Sequence, residues 1–368
     1  MKKILLRTGI VLLCIILALL LIVGSYIVYL EIRYKRIQDP MALDITPGEG
    51  TNLLQSGQTY TVLTYNVGYG AFNHDFSSFT DSGVMADGTP VSGEYTKAQS
   101  LEIVTTNISG SAMVTSQLSP DFALFQEVDR SGVRSFNIEE NAVLAQALPG
   151  YYSTFAKNSY PANLVYPPSD PIGEFDSGLL TLSSYSISSA ERRSYPVDTS
   201  FITKFFDLDR CFSIQRIPVE GGKELVLINS HMSAFDKGGV YRTLQMQLLT
   251  SVLAEEYEKG NWVIAGGDFN HALGNSLTSF PSGQQVPEWI HEFDESMLPS
   301  GFSVVVADNA NAVPSVRSVD MPYIEGINYT SIVDGFVVSD NISAIAQNVD
   351  VNFKYSDHNP VLLTFSLQ

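Results

Sequence analysis

The sequence predicts an α/β fold in which two β-sheets pack face to face with helices outside, behind an N-terminal transmembrane helix. Three observations predict it. From Thr59 onward, short strand-like runs alternate with helical ones. Several of those runs are unbroken apolar stretches, as strands buried on both faces are. Residues Thr8 to Leu30 carry no charge, and roughly 20 apolar residues suffice to cross a bilayer as a helix.

The N-terminal run comes first. Lys2, Lys3 and Arg7 precede it, and Glu31, Arg33, Lys35 and Arg36 follow it, so the flanking charge is nearly balanced and biases orientation only weakly. The run exceeds the apolar core of a signal peptide and no small-residue cleavage site follows it, so an uncleaved anchor is expected over residues 1–30. Cys14 lacks the small residues that precede a lipoprotein site and reads as an apolar membrane residue. The expectation is a single-pass protein of the cell membrane with its N-terminus cytoplasmic and its bulk outside. Residues 31–58 contain Pro40, Pro47, Gly48, Gly50 and Gly57 without periodicity and read as a tether. The globular domain is then 59–368.

Hydrophobic residues make up 45% of the 368-residue chain and charged residues 16%, which favours a packed core over disorder. The formal net charge of -18 argues against a tight nucleic-acid binder. It leaves a nuclease open, because a bound divalent metal supplies positive charge locally. Cys14 and Cys211, one in the apolar run and one in a strand-like segment, are not expected to pair. No Cys/His cluster has zinc spacing.

Strands are expected at 59–67, 121–128, 177–185, 211–219, 224–232, 261–269, 332–339 and 359–367. A helix is expected over 239–259, where Leu244, Leu248, Val252 and Leu253 recur at helical spacing and Gly260 stops it. A second spans about 96–118, ending before Pro120. Stretches 70–96, 157–176 and 273–327 interrupt the pattern; loops of that length are functional or mobile. The middle one, rich in Pro and aromatics, reads equally as a substrate-touching loop or an ordinary surface loop.

Polar residues recur at the C-terminal ends of the apolar strands: Asn66 in LTYNVG, Glu127 in LFQEVD, His231 in INSHMS, Asp268 and Asn270 in GGDFN, and Asp357 with His358 in SDHNP. Singly, each reads as a turn or cap residue. Together they suggest a shared pocket, since strand ends on one sheet edge converge. The ordered set N…QE…H…GDFN…D…SDH resembles the endonuclease/exonuclease/phosphatase superfamily, which includes pancreatic-type deoxyribonucleases, abasic-site endonucleases, neutral sphingomyelinases and inositol-polyphosphate 5-phosphatases. QE alone is weak, whereas GDFN and SDHNP are each fairly specific. The resemblance covers residues 59–368 and implies a four-layered α/β sandwich.

It also implies chemistry. Phosphodiester hydrolysis needs a metal, an activated water and donors that stabilise phosphoryl charge. Magnesium, with manganese as the alternative, prefers oxygen ligands; the resemblance gives Glu127, Asn66 and Asp357. Asp268 would orient or deprotonate the water and Asn270 donate to a phosphoryl oxygen, the two facing one side of an extended segment. An Asx-turn closing the strand is the competing reading of that pair. His358 would face phosphate or transfer a proton, fixed by Asp334, and His231 would hydrogen-bond the scissile phosphate. Arg210 reads either as a cation toward phosphate or as a surface ion-pair partner.

The substrate is expected to be a phosphoester, either a membrane-proximal lipid headgroup or nucleic acid, with no obligate protein partner. A non-catalytic binding module on the same fold is the reading from another class.

Overall fold

The computed structural model describes residues 2–160, 162–234, 236 and 239–368. Fourteen strands form its two main sheets: β1 (Met41–Ala42), β2 (Ile45–Thr46), β3 (Thr59–Asn66), β4 (Phe122–Gly132), β5 (Tyr152–Lys157), β6 (Phe175–Ser183), β7 (Ser189–Ser194), β8 (Cys211–Pro218), β9 (Glu224–His231), β10 (Trp262–Asp268), β11 (Phe302–Val305), β12 (Asp334–Ser339), β13 (Ile342–Asn348) and β14 (Val361–Leu367). One sheet has the order β1-β7-β8-β9-β10-β12-β11, the other β13-β14-β3-β4-β6-β5-β2. The helices are α1 (Lys2–Arg33), α2 (Leu101–Leu118), α3 (Glu140–Ala147), α4 (Thr203–Phe206) and α5 (Val240–Glu258).

Side-chain alternation along the strands builds four layers. In β3, Tyr60 and Val62 enter the core between the sheets with Phe122, Leu124, Leu227, Ile264 and Phe336. The intervening Leu63 and Tyr65 face outward with Phe125 under Val104 and Ile108 of α2 and Leu144 of α3. Met246, Leu249 and Leu253 of α5 cover Val226, Ile228, Val263 and Ala265 on the other sheet. The order is therefore α2/α3, sheet, sheet, α5, the expected sandwich. Ser100 caps α2 by accepting from the Ile103 N–H at 3.2 Å.

Residues 31–58 do not behave as a tether. Met41 pairs with Arg192, Ile45 pairs with Thr154, and Leu54 is fully buried between the sheets. The chain needs no periodicity to do this, because its contributions are two edge strands of two residues and one isolated bridge at Leu54. Arg36 adds a bridge to the buried carboxylate of Asp209 at 2.7 Å. Both cysteines are free, Cys14 exposed and Cys211 buried. Among the described residues, one helix, Lys3–Arg33, is long and apolar enough to cross a membrane.

Candidate active site

Strand parity and register assemble the cluster. Asn66, His231, Asp268 and Asp334 each stand an even number of residues from inward-facing core positions (Val62, Leu227, Ile264, Phe336), so all four point between the sheets. His231 lies directly opposite Asp268, and Asp268 opposite Asp334. One layer below, Gln126 donates to Asn229 Oδ1 at 2.8 Å, and Asn229 donates to the Phe125 and Leu180 carbonyls. This satisfied amide layer divides the apolar core from the polar end.

Glu127 reaches the cluster by another device. The β4–β6 register shifts between Phe125 and Val128, and Glu127 has φ +54°. A bulge re-aims a side chain out of strict alternation, and a non-glycine left-handed residue at that point marks a constrained site. The Asn66 amide nitrogen then donates to both Glu127 Oε1, at 3.1 Å, and Asp268 Oδ2, at 3.0 Å. Its oxygen accepts from the Gly68 N–H at 3.0 Å. As oriented, Asn66 ties two carboxylates together; it was expected to offer its oxygen to metal, and here one lone pair of that oxygen is already engaged.

Asp268 and Asn270 do not share an extended segment. The strand ends at Asp268, Asn270 has φ +51°, and Asp268 Oδ1 accepts the Asn270 N–H at 2.8 Å, so the Asx-turn is present. It leaves Oδ2 facing the site, where it accepts from Asn66 and stands 3.5 Å from His231 Nε2 and 3.8 Å from His358 Nε2. The Asn270 side chain donates to the Met232 carbonyl at 2.9 Å. Burial pushes the Asp268 carboxyl up to about 7, with Asp334 adding to the rise and His358 opposing it.

The two histidines are held in opposite states. His358 Nδ1 lies 2.7 Å from Asp334 Oδ2, an oxygen that also accepts from Ser315 Oγ at 2.7 Å. Burial alone would lower the His358 imidazole; the carboxylates of Asp334, Asp357 and Asp268 outweigh it and hold it well above the ordinary histidine range. His231 goes well below that range through burial, then through the charges of Arg210 and His358. Arg210 Nη1 sits 2.7 Å from His231 Nε2, and since a guanidinium only donates, that nitrogen accepts. His231 is thus a neutral imidazole facing Arg210, an arrangement in which Nε2 cannot also donate to phosphate as expected. Arg210 itself is buried; it donates to the Met232 carbonyl at 3.1 Å and pairs with Asp207 Oδ1 at 3.5 Å, so an ion pair is present, though not at the open surface.

A cavity of about 530 Å³ opens over this cluster, lined by Glu127, Arg210, His231, Asp268, Asn270, Asp357 and His358, with Asn66 and Asp334 behind them. Its walls come from all three irregular stretches: Phe72 and Phe76, Leu164 and Ile172, Trp289 and Val316. Three further cations line it that the sequence did not single out, Lys97, Arg134 and Arg317. Arg134 is clamped between the Tyr69 and Phe175 rings, 3.3 and 3.9 Å from their centroids, and binds Asp129 at 2.8 Å. Arg317 donates to the Asn73 carbonyl at 2.7 Å, and burial lowers it to about 10. Neither sits in a strand-end motif, so no local signal marked them.

The donors fit a hard divalent cation. Glu127, His231 and Asp268 offer atoms within 4.8 Å of one another, and two ligands across a magnesium ion stand about 4.2 Å apart. Burial raises the Glu127 carboxyl, and the charge of Asp357 raises it further, the mutual repulsion that a cation relieves. The expected ligands were Glu127, Asn66 and Asp357; of the two expected carboxylates only Glu127 belongs to a three-donor grouping among the described residues, these being Glu127/His231/Asp268 and Asp268/Asp334/His358.

No protein-family profile matches the sequence, and no curated protein does. Solved structures do match in fold. An endonuclease/exonuclease/phosphatase from Beutenbergia cavernae DSM 12333 aligns with TM-score 0.53 and 14% identity over 84% of this chain and 72% of that one. A family protein of the same description from Leptotrichia buccalis aligns at 0.52 and 14%, over 84% and 100%. ANGEL2, described as a 2',3'-cyclic phosphatase, aligns at 0.52 and 13%, over 89% and 99%. The two packed sheets, their flanking helices and the strand-end cluster give this chain the endonuclease/exonuclease/phosphatase fold.

Proposed function

We propose that this protein is a membrane-anchored, divalent-metal-dependent hydrolase of phosphoesters, most readily phosphodiesters. The observation that carries the reading is the alignment of His231, Asp268 and Asp334 across neighbouring strands, with His358 fixed on Asp334 beneath one cavity. Glu127 and Asp357, with Asn66 between Glu127 and Asp268, would hold magnesium or manganese. Such an ion, when bound, polarises the phosphoryl group and neutralises its developing charge.

The chain's own groups divide the remaining work. Asp268, its acidity weakened by burial, accepts a proton from the attacking water. The water oxygen bonds to phosphorus, the P–O bond to the leaving alcohol breaks, and His358, protonated against Asp334, supplies the proton to the departing oxygen. A phosphomonoester and an alcohol result. Arg210 stands at the cavity wall to balance phosphoryl charge, and neutral His231 positions Arg210. Asn270 keeps one amide N–H on the Met232 carbonyl and has its second to offer a phosphoryl oxygen.

A relative from Danio rerio, TDP2, is described with a single-strand DNA product, which keeps nucleic acid among the substrates to test. The net charge of -18 disfavours it. The experiment is a turnover panel for the purified full chain with magnesium: bis(p-nitrophenyl) phosphate, p-nitrophenyl phosphate and single-stranded DNA. Diester hydrolysis is expected; no turnover of any of them would leave the binding-module reading.

A further inference from the structure

We propose that the cavity opens onto the bilayer and takes a membrane phospholipid, whose phosphodiester headgroup reaches the cluster from the plane of the membrane. This deepens the phosphoesterase reading and rests on it.

Where α1 leaves its apolar run, it is bonded to the globular domain. The Tyr26 hydroxyl donates to the Asn163 carbonyl at 3.0 Å and accepts from the Val165 N–H at 3.0 Å, and the Tyr29 hydroxyl accepts from the Asn163 N–H at 3.0 Å. Leu30 packs against Ala162, Leu164 and Phe205. Lys204 binds Glu31 at 2.8 Å. The membrane-crossing helix is therefore fastened to two segments, 162–175 and 201–206, and both also form the cavity wall through Leu164, Ile172, Ile202 and Phe206.

Helix geometry sets the depth. Tyr26 precedes Glu31, the first charge after the run, by five residues, about 7.5 Å of rise. Bonded to Tyr26, the 163–166 segment must lie at that level, within the interfacial zone where Tyr anchors gather. There the protein exposes Val165, Tyr166, Phe201, Ile202 and Phe206, at 46, 53, 53, 69 and 44%. A contiguous apolar rim of this kind marks a membrane or partner contact, and its continuity with the membrane helix selects the bilayer. Acyl chains would stay at this rim while the headgroup passes the apolar walls to Arg210 and the carboxylates on the floor.

The test uses the full chain reconstituted in vesicles of mixed phosphatidylcholine, phosphatidylglycerol and sphingomyelin, with bis(p-nitrophenyl) phosphate as the soluble control. The variant combines Val165→Ser, Tyr166→Ser and Phe201→Ser, none of which lines the cavity. We expect vesicle lipid to be hydrolysed, and the variant to lose about tenfold in kcat/KM on lipid, the equivalent of one apolar side chain withdrawn from the interface, with the soluble diester unchanged. Hydrolysis of the soluble diester without lipid, or an equal loss on both, would overturn the proposal while leaving the phosphoesterase reading intact. Hydrolysis of neither would remove both. Phe201→Trp gives a readout independent of turnover: quenching by lipids brominated near the headgroup is expected, and its absence contradicts the rim.

Discussion

Asp268 concentrates the chemistry of this site in one carboxylate. One oxygen closes the turn to Asn270, and the other meets Asn66 and faces both histidines. If it accepts a proton from water while His358 donates one, Asp268→Asn and His358→Asn should each lower turnover by about 10²–10⁴-fold, with unchanged circular dichroism. Near-normal turnover in either variant removes that residue from the mechanism. Its acidity makes a second prediction. The folded protein holds Asp268 up to about 7, against an ordinary value of 3.8, so between those values the folded state binds more protons than the unfolded one. Stability conferred by the protonated form must then decline as pH rises from about 4 to about 7. Thermal melts in excess chelator should show that decline, and Asp268→Asn should flatten it; an unchanged slope in the variant would refute the assignment. The identity of these residues was legible in the sequence because strand-end motifs carry them. Their hydrogen-bond states were not, since the Asx-turn and the Arg210–His231 contact depend on how neighbouring strands stack.

At the scale of elements, the apolar strands were legible and the polar ones were not. β7, SAERRS, offers no alternation to read, because Arg192 lies fully buried with its guanidinium donating to the Lys157 and Asp209 carbonyls and to Ser194 Oγ. β13 alternates exposed and buried positions at a sheet edge, too weak a pattern against the flanking polar residues. Of the helices, α5 was found through its spacing and α2 through the Pro120 that follows it, whereas the short α3 and α4 were not expected; α5 shows what fastens one. Glu256 near its C-terminus receives hydrogen bonds from Arg216 of β8 at 2.6 and 2.9 Å. Burial opposes its ionisation, but Arg216, Lys259 and Asn261 outweigh that and hold the carboxyl at about 2. A depressed carboxyl stabilises the fold above its ordinary value of 4.5 and loses that contribution as pH falls toward about 2. Glu256→Gln should cost about 2 kcal/mol at neutral pH, measured by urea unfolding, and should remove much of the acid sensitivity in that window. A cost below about 0.5 kcal/mol would mean that the pair behaves as an ordinary surface bridge.

For the whole molecule, the four-layer sandwich follows from alternation in a few long strands, and the irregular stretches that sequence reasoning could not place turn out to wall one cavity. The segment 31–58 was misread because its contribution is made of single residues and two-residue strands. Leu54 fills the space between the sheets, and burying a leucine there is worth about 2–5 kcal/mol. A fragment beginning at residue 59 should therefore melt well below one beginning at residue 26; equal melting temperatures would return the segment to the status of a tether.

The central claim is that distant acidic and imidazole side chains meet around one divalent ion to hydrolyse a phosphoester. Its most direct measurement is turnover of bis(p-nitrophenyl) phosphate by the purified full chain, first in excess chelator and then across a magnesium titration. The account predicts no turnover in chelator and a saturable return with magnesium. Turnover undiminished by chelator would contradict it.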